Sequence, residues 1–495
     1  MLEELQQGIR DLEGYQNFLE SEIQKKQERL QQVRTSLSQK ITKAKELKNS
    51  LAPISRLPNE MLLVIFEELV SSPAPGNGKE MCAAMWVSHV SRRWRDVAVS
   101  SPRLWRHIWV GPQVGPRVLE AYISRGSGSF DVSFFDWRDR REFQRFDSAL
   151  DKILPSSGQW RSLSISSMCD TNLSHLGTKL SNGGPLTILR HVSFRAFRPG
   201  QSYTIQFLKH NNPPVLKTLD AENFSLAGDL STRMIQAFSK LTTLTLRRYS
   251  HDARSLRIMI DSGVFRSLLH SIPGLTTLAL YGQPLRFRID PRSDDESALV
   301  SMPQLQTLIL HPGVLKPRYL QQTMSNIHAP SLRHFELVFP DSKVSGQNIV
   351  NLLFDSSTKR ARFPLVSTVV LHNASNSSTA LSFIDAFPYA SHVKIGGVDV
   401  GFFLQALRAR SYDPYDCTYP PFPYWHRLRR LTLRSTKPET LRVVREWITD
   451  ELDRGHIPPT LIMERRDPID SRDLALLYHC SRGYARIEII DSSSP

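Results

Sequence analysis

The segment Leu275-Thr276-Thr277-Leu278-Ala279-Leu280 is one copy of a motif that predicts the structure of most of this chain. Apolar residues occupy its first, fourth and sixth positions. Leu278 and Leu280 therefore share one face of a short strand, while Leu275 turns the chain into the same core. A strand this short cannot bury its apolar face alone, so neighbouring copies must stack into a parallel sheet.

This L-x-x-L-x-L motif recurs over much of the chain. Clear copies begin at Leu216, Leu241, Leu305, Leu332 and Leu428, and weaker copies begin at Trp160, Leu189, Val366 and Ala390. The spacings lie mostly in the mid-twenties to mid-thirties, which leaves room for one return helix in each unit. The sequence therefore predicts an α/β solenoid over residues 110–490, with a last strand near Ile487.

This pattern resembles a leucine-rich-repeat array in degenerate form. The family carries Asn or Cys three residues after the sixth position, but Tyr249, Gln283, Gly313 and Thr436 occupy that place here. The resemblance implies a parallel sheet with irregular repeats.

A different pattern precedes the repeats, in residues 51–109. Leu62, Ile65, Phe66 and Leu69 fall at i, i+3, i+4 and i+7, which is typical of one apolar helix face. Pro58 suits the first turn of that helix. Two more short helical patterns follow, at 80–90 and 92–99, after a Pro/Gly-rich loop. A three-helix module of this size with surplus apolar surface is expected to bind a partner.

These residues resemble an F-box. The resemblance rests on Leu57-Pro58, Glu60, Ile65-Phe66, Val90-Ser91-Arg92-Arg93-Trp94-Arg95 and Pro102-Arg103-Leu104-Trp105. It implies docking to a Skp-type adaptor and, through it, to a cullin-RING ubiquitin ligase. The implied apolar anchors are Leu57, Pro58, Leu62, Ile65, Phe66 and Leu69, with Val87, Val90 and Trp94 packing behind or beside them. Glu60 is expected to favour the helix start, because a carboxylate there meets the positive end of the helix dipole.

Residues 2–47 follow a heptad pattern. The a positions hold Leu2, Ile9, Ile23, Leu30, Leu37 and Ala44, and the d positions hold Leu5, Leu12, Leu19, Val33 and Leu47; Gln16, Lys26 and Lys40 are the exceptions. This pattern predicts a coiled-coil helix over 1–50 that forms a homodimer through residues 2–47. The alternative is a single long helix that folds back on its own protein. The order of coiled coil, F-box and degenerate repeats resembles the large fungal F-box group.

The composition of the chain restricts the classes of function that it can have. Four cysteines lie far apart without a C-x-x-C pair, which is typical of a reduced intracellular setting, cytoplasmic and/or nuclear. No segment approaches the about 18 apolar residues of a membrane helix, and no secretory signal pattern is present. We found no metalloprotease, hydrolase or complete phosphate-loop motif, and we expect no active site, cofactor or metal.

Two function hypotheses remain at this level. The first is a non-catalytic substrate receptor of an SCF-type ubiquitin ligase, whose repeats hold a protein substrate. The second starts from the net charge of +15 and describes a basic scaffold that binds nucleic acid or an acidic protein without a ligase link. The arginines are dispersed and no nucleic-acid motif is present, so the sequence favours the first hypothesis.

Overall fold

A computed structural model of the chain describes residues 1–71, 83–195, 215–223, 232–248, 259–287, 300–312, 317–325, 327–338, 351–355, 360–372, 383, 386–396, 404, 428–434, 438–453, 458–465, 471–480 and 486–491. These residues form two compact units, Met1–Trp105 and Arg106–Pro495. The Pro/Gly-rich loop that follows Ser71 lies outside the described residues. The three domain ranges expected from the sequence, 1–50, 51–109 and 110–490, remain predictions.

The first unit is helical. It contains α1 (Leu2–Leu51), a 3-10 turn (Pro53–Arg56), α2 (Asn59–Ser71), α3 (Ala83–Val90), α4 (Arg92–Val99) and a second 3-10 turn (Pro102–Trp105). A single continuous helix therefore precedes a short three-helix module. Pairing of α1 into a coiled coil stays a prediction.

The short helices of the first unit enclose a small apolar core. Its most buried side chains come from all three helices and the closing turn: Leu62, Phe66, Ala84, Val87, Val97, Ala98, Leu104 and Trp105. The Trp105 indole Nε1 donates to the Ala98 carbonyl at 2.8 Å, so the closing turn is tied to α4. Ser91 caps α4 by accepting a hydrogen bond from the Trp94 amide.

The second unit is built on a parallel sheet of fourteen described strands. These are β1 (His107–Val110), β2 (Phe130–Phe135), β3 (Trp160–Ser166), β4 (His191–Arg195), β5 (Thr218–Glu222), β6 (Thr243–Arg248), β8 (Thr277–Gly282), β11 (Thr307–His311), β13 (His334–Val338), β14 (Thr368–His372), β15 (His392–Gly396), β16 (Arg430–Arg434), β17 (Thr460–Arg465) and β18 (Ile487–Asp491). The strands of this sheet lie side by side in the order in which they occur along the chain, as repeat stacking requires. The boundary predicted between 109 and 110 falls inside β1.

Helices and two small sheets fill the connections that the structure describes. The helices are α5 (Pro116–Arg125), α6 (Phe143–Ile153), α7 (Asp170–Asn182), α8 (Thr232–Phe238), α9 (Ser262–His270), α10 (Pro317–Ser325), α11 (Pro438–Asp453) and α12 (Ser471–Cys480). Strands β7 (Ile260–Asp261) and β9 (Leu285–Arg286) pair with each other, as do β10 (Val300–Ser301) and β12 (Ile327–His328). A helical N-terminus followed by an α/β parallel sheet confirms the predicted fold class.

The strand register places equivalent repeat positions side by side. Leu244 of β6 pairs with Leu278 of β8, and Leu278 pairs with Leu308 of β11; all three side chains are buried. The residues between the buried positions are mostly half-buried and form a second, largely polar face of the sheet. The L-x-x-L-x-L motif thus gives the sheet one face that packs in the core and one face that is accessible to a partner.

Candidate docking surface

The Leu57-Pro58 step leads directly into α2. The Pro58 carbonyl accepts a hydrogen bond from the Leu62 amide at 3.1 Å, and α2 begins at Asn59. Pro58 therefore immediately precedes the helix instead of lying within its first turn. Glu60 is exposed in the first turn of α2, the end of the helix at which a negative charge is favoured by the dipole.

The inner face of α2 holds two of the predicted anchors. Leu62 is 0% exposed and Phe66 is 1% exposed. The Phe66 ring packs against Trp94 of α4 with 4.8 Å between ring centroids. Because α2 must bury one face to join α3 and α4, these two side chains stabilise the module from inside and do not lie on its surface. Val87 is also buried, and Trp94 is half-buried.

The outer face of α2 carries a second row of apolar side chains, which we call the α2 stripe: Met61, Val64, Ile65 and Leu69. Their exposed fractions lie between 42% and 58%. The spacing of i, i+3, i+4 and i+8 places them along one side of the helix. Ile65 and Leu69 were predicted as anchors from the sequence, whereas Met61 and Val64 were missed.

Helix α3 adds exposed apolar surface. Trp86 is 48% exposed and Val90 is 56% exposed. Val90 was predicted to pack behind or beside the docking face, and it lies on the surface. Trp86 was missed, although an aromatic residue four positions before Val90 is a sequence signal for one shared helix face. Leu57 itself is half-buried and Pro58 is exposed.

Arg93 of α4 holds the segment that leads into α2. Its Nε donates to Asn59 Oδ1 at 2.9 Å, and its Nη1 donates to the Ser55 carbonyl at 2.6 Å. Its Nη2 donates to the Leu57 carbonyl. One guanidinium therefore holds both ends of the Leu57-Pro58 step, using the rigid fork of donors that lysine lacks. These contacts were not predicted, because they join residues more than thirty positions apart and leave no local pattern.

The polar face of the large sheet is crossed by paired charges. Arg161 binds Asp131 through two hydrogen bonds of 3.1 and 2.7 Å. Arg247 binds Asp220 in the same forked manner and also lies over the Tyr281 ring, 4.5 Å from its centroid. Further along, Lys394 and Arg434 both bind the carboxylate of Glu464. These basic residues are therefore largely neutralised by carboxylates from other strands of the sheet.

Histidines surround one carboxylate near the middle of this face. His311 Nε2 lies 2.6 Å from Glu336 Oε1, and His334 Nε2 lies 3.7 Å from Glu336 Oε2. Hydrogen bonding to His311, and then to His334, holds the pKa of the Glu336 carboxyl far below its usual range. Burial lowers the pKa of the nearby His372 imidazole. Glu336 therefore stays ionised throughout the neutral pH range.

The described part of the chain holds no metal-ligand cluster and no membrane-spanning helix. Within those ranges, no group of three or more His, Cys, Asp or Glu side chains is placed to hold a metal ion. Among the helices described, none is both long and apolar enough to cross a membrane.

Two family models match parts of this chain. The F-box-like family model matches residues 54–110. A second model, described as "FBD-associated F-box protein At5g56370, LRR repeats", matches residues 208–395. A search of curated proteins found no match.

Both matched families consist of modules that bind other proteins. More specifically, this chain carries an F-box-like domain followed by a leucine-rich-repeat region, which is the composition of an F-box protein with a leucine-rich-repeat-like C-terminal domain. Such modules typically bind other proteins and are non-catalytic.

Proposed function

We propose that this protein is the substrate-receptor subunit of an SCF-type ubiquitin ligase. The F-box-like domain docks on a Skp-type adaptor, which connects it to a cullin-RING core, and the repeats hold a protein substrate. The observation that carries this proposal is the α2 stripe, a row of apolar side chains left exposed on a domain of the F-box type. Exposed apolar rows of this kind are typical of helix-in-groove recognition.

The individual docking residues follow from their exposure. Pro58, Ile65 and Leu69 supply apolar contact area from the predicted set, and Met61 and Val64 extend it along α2. Half-buried Leu57 and exposed Glu60 flank the start of that surface. Exposed Val90 adds area on α3. The remaining predicted residues hold these positions in place from the core side: Leu62, Phe66, Val87 and Trp94.

The protein contributes proximity in this function and supplies no catalytic group. A substrate held on the repeats gains a high effective concentration near the charged ubiquitin-conjugating enzyme, so ubiquitin transfer to its lysines becomes effectively intramolecular. We place this activity inside the cell, in the cytoplasm and/or nucleus. The isolated cysteines of the sequence, with the buried Cys169 as a free thiol, support a reducing compartment.

The paired charges of the sheet favour a protein substrate over nucleic acid. Phosphate binding needs cationic side chains that are available to the backbone of the nucleic acid. Arg161, Arg247, Lys394 and Arg434 are instead bound to carboxylates on the polar face. A mixed surface of this kind complements a protein better than a polyanion.

The direct test is adaptor capture by the full chain. Ile65→Ala combined with Leu69→Ala removes apolar area from the α2 stripe, and we expect at least a tenfold loss of affinity for a purified Skp-type adaptor, equivalent to about 1.4 kcal/mol. The matched control is Leu365→Ala combined with Leu476→Ala, which removes the same number of carbon atoms from exposed positions of the second unit. Equal adaptor affinity of the two double variants would refute the proposed docking surface.

Ligase function needs a separate readout. Reconstituted with adaptor, cullin-RING core and ubiquitin-conjugating enzyme, the wild-type chain is expected to direct ubiquitin to proteins that it captures from cells with the proteasome inhibited. The Ile65/Leu69 double variant is expected to capture the same proteins without their ubiquitination. Loss of substrate capture in that variant would show that the stripe belongs to the substrate site and would overturn the assignment.

A further inference from the structure

Helix α1 presents a long apolar seam that is open to solvent. Its a and d side chains Leu2, Leu5, Ile9, Leu12, Leu19, Ile23, Leu30, Val33, Leu37 and Leu47 are between 42% and 74% exposed. The helix runs without interruption over 50 residues, or about 75 Å at 1.5 Å per residue. A seam of this length on an exposed helix is typical of a coiled-coil strand.

Charge is divided unequally between the two halves of α1. Residues 1–25 contain the acidic Glu3, Glu4, Asp11, Glu13, Glu20 and Glu22 against the basic Arg10 and Lys25, for a side-chain net charge of −4. Residues 26–50 contain the basic Lys26, Arg29, Arg34, Lys40, Lys43, Lys45 and Lys48 against the acidic Glu28 and Glu46, for a net charge of +5. The helix is therefore acidic at one end and basic at the other.

We propose that α1 pairs with α1 of a second copy in antiparallel orientation, so that the acidic half of each helix lies along the basic half of the other. This inference rests on the homodimer that the heptad pattern predicts through residues 2–47, and it specifies the orientation of the two helices in that dimer. The partner that binds this seam is α1 of a second copy of the chain. When two such helices run in opposite directions, each acidic half lies beside a basic half.

The lysines in the seam independently favour the antiparallel orientation. In a parallel dimer each a or d residue faces its own copy, so Lys26 would face Lys26 and Lys40 would face Lys40. With antiparallel helices in full overlap, Leu2 faces Leu47, Lys40 faces Ile9 and Lys26 faces Ile23. The lysine stems can then lie along aliphatic side chains while their ammonium groups reach water. Both like-charge layers of the parallel dimer are removed.

The charges at the flanking e and g positions also favour the antiparallel orientation. In a parallel dimer, Arg29 at g would lie beside Arg34 at e, and Lys43 at g beside Lys48 at e, so both pairs repel. In the antiparallel dimer, Glu13 and Glu20 flank Arg34 of the second copy, and Glu22 lies beside Arg29 of the second copy. Within its own helix Glu22 makes an exposed 3.5 Å contact with Lys25, which contributes little.

Cysteine cross-linking of the full-length protein tests the orientation. In the double variant Leu5→Cys/Ala44→Cys, a short bis-maleimide is expected to join position 5 of one chain to position 44 of the other. The two positions are about 58 Å apart within one helix, so a cross-link between them must be intermolecular. The single variants Leu5→Cys and Ala44→Cys are the controls, because each joins to its own copy only in a parallel dimer. Cross-linking of the wild-type chain shows the background products that its four native cysteines form. Peptide mass spectrometry identifies the two residues joined in each product.

Salt provides a second test on the unmodified chain. The antiparallel dimer is held by attraction between opposite charges, so its dissociation constant is expected to rise several-fold between low and high salt. A parallel dimer, weakened by like charges, would instead become tighter. The variant Glu13→Lys/Glu20→Lys/Glu22→Lys makes both halves basic and is expected to weaken the dimer about tenfold or more at low salt.

The outcomes separate the orientation from the dimer and from the ligase role. Products that join position 5 to position 5 would overturn the antiparallel orientation and leave the dimer in place. A monomer under the cross-linking conditions would overturn both. Adaptor capture through the α2 stripe is measured separately, so its failure would leave the result on α1 unchanged.

Discussion

Arg93 joins the segment that leads into α2 to helix α4 through contacts that only an arginine can make together. It donates to the Ser55 and Leu57 carbonyls and to Asn59, so it fixes the chain immediately before α2. Hydrogen bonds that involve a charged group contribute about 1.5–3 kcal/mol each, and unpaired carbonyls add to the cost of losing them. Arg93 is therefore a positioning residue for Leu57 and Pro58.

Replacing Arg93 with Ala should loosen the entry to α2 and weaken adaptor binding about tenfold or more. Hydrogen exchange of the Leu57 and Leu62 amides reports the loosening, and titration with adaptor reports the affinity. The control is Arg92→Ala, because Arg92 is 80% exposed and its ion pair with Glu46, at 3.5 Å, contributes little. If both variants bind adaptor equally well, Arg93 does not position the docking surface.

Gly282 lies at the end of β8. Its φ of +69° is rarely adopted by residues with a side chain, and a Cβ there would clash with the Arg248 carbonyl oxygen. Gly282→Ala is expected to lower the free energy of unfolding by about 2 kcal/mol or more. Gly177 in α7 has open space around it, so Gly177→Ala should be neutral or slightly stabilising. Chemical denaturation compares the two variants, and equal midpoints would contradict the prediction.

At the scale of the element, α2 has two apolar faces with different tasks. One face, with Leu62 and Phe66, closes the core, and the other, the α2 stripe, remains exposed. Because both faces are apolar, the sequence alone identified the helix but could not separate anchors from core residues. The separation depends on which face meets α3 and α4, which is a tertiary property.

Phe66→Ala should therefore act differently from Ile65→Ala. Loss of the buried Phe66 ring leaves a cavity beside Trp94 and is expected to cost about 3–5 kcal/mol, which is a large share of the stability of so small a module. Ile65→Ala removes exposed atoms and should leave the module folded. Protease resistance of residues 59–99 distinguishes the two variants, and equal resistance would show that the assignment of faces is wrong.

The strands were more predictable than the helix faces. The L-x-x-L-x-L motif predicts the positions of β5, β6, β8, β11, β13 and β16, because the alternation of buried and exposed residues is local to each strand. The ion pairs across the polar face, such as Arg247 with Asp220, depend on the pairing of strands more than twenty residues apart. No local pattern encodes those partners, so the chemical character of the face became visible only in the structure.

At the scale of the whole molecule, several histidines make stability depend on pH. Burial lowers the pKa of the imidazoles of His107, His191, His372 and His392 below the usual value near 6.5. Between the two pKa values the unfolded chain binds more protons than the folded one, so this stability is present above about pH 6.5 and is lost as the pH falls. Glu336 adds no pH dependence in this range, because its carboxyl is ionised there in both the folded and the unfolded chain.

The expected result is a lower free energy of unfolding at pH 5.5 than at pH 7.5, measured by chemical denaturation of the full chain. His372→Asn should reduce the difference between the two pH values, because it removes one of these four titrating groups. An unfolding midpoint that stays constant or rises on acidification would contradict the assignment of burial as the cause.

The strictly sequential order of the large sheet has an evolutionary consequence. Because the described strands of that sheet stack in chain order, a whole unit could be duplicated or deleted in the gene without rethreading the remainder. Recombination could thus lengthen, shorten or diversify the polar face of the sheet while the F-box-like domain stays unchanged.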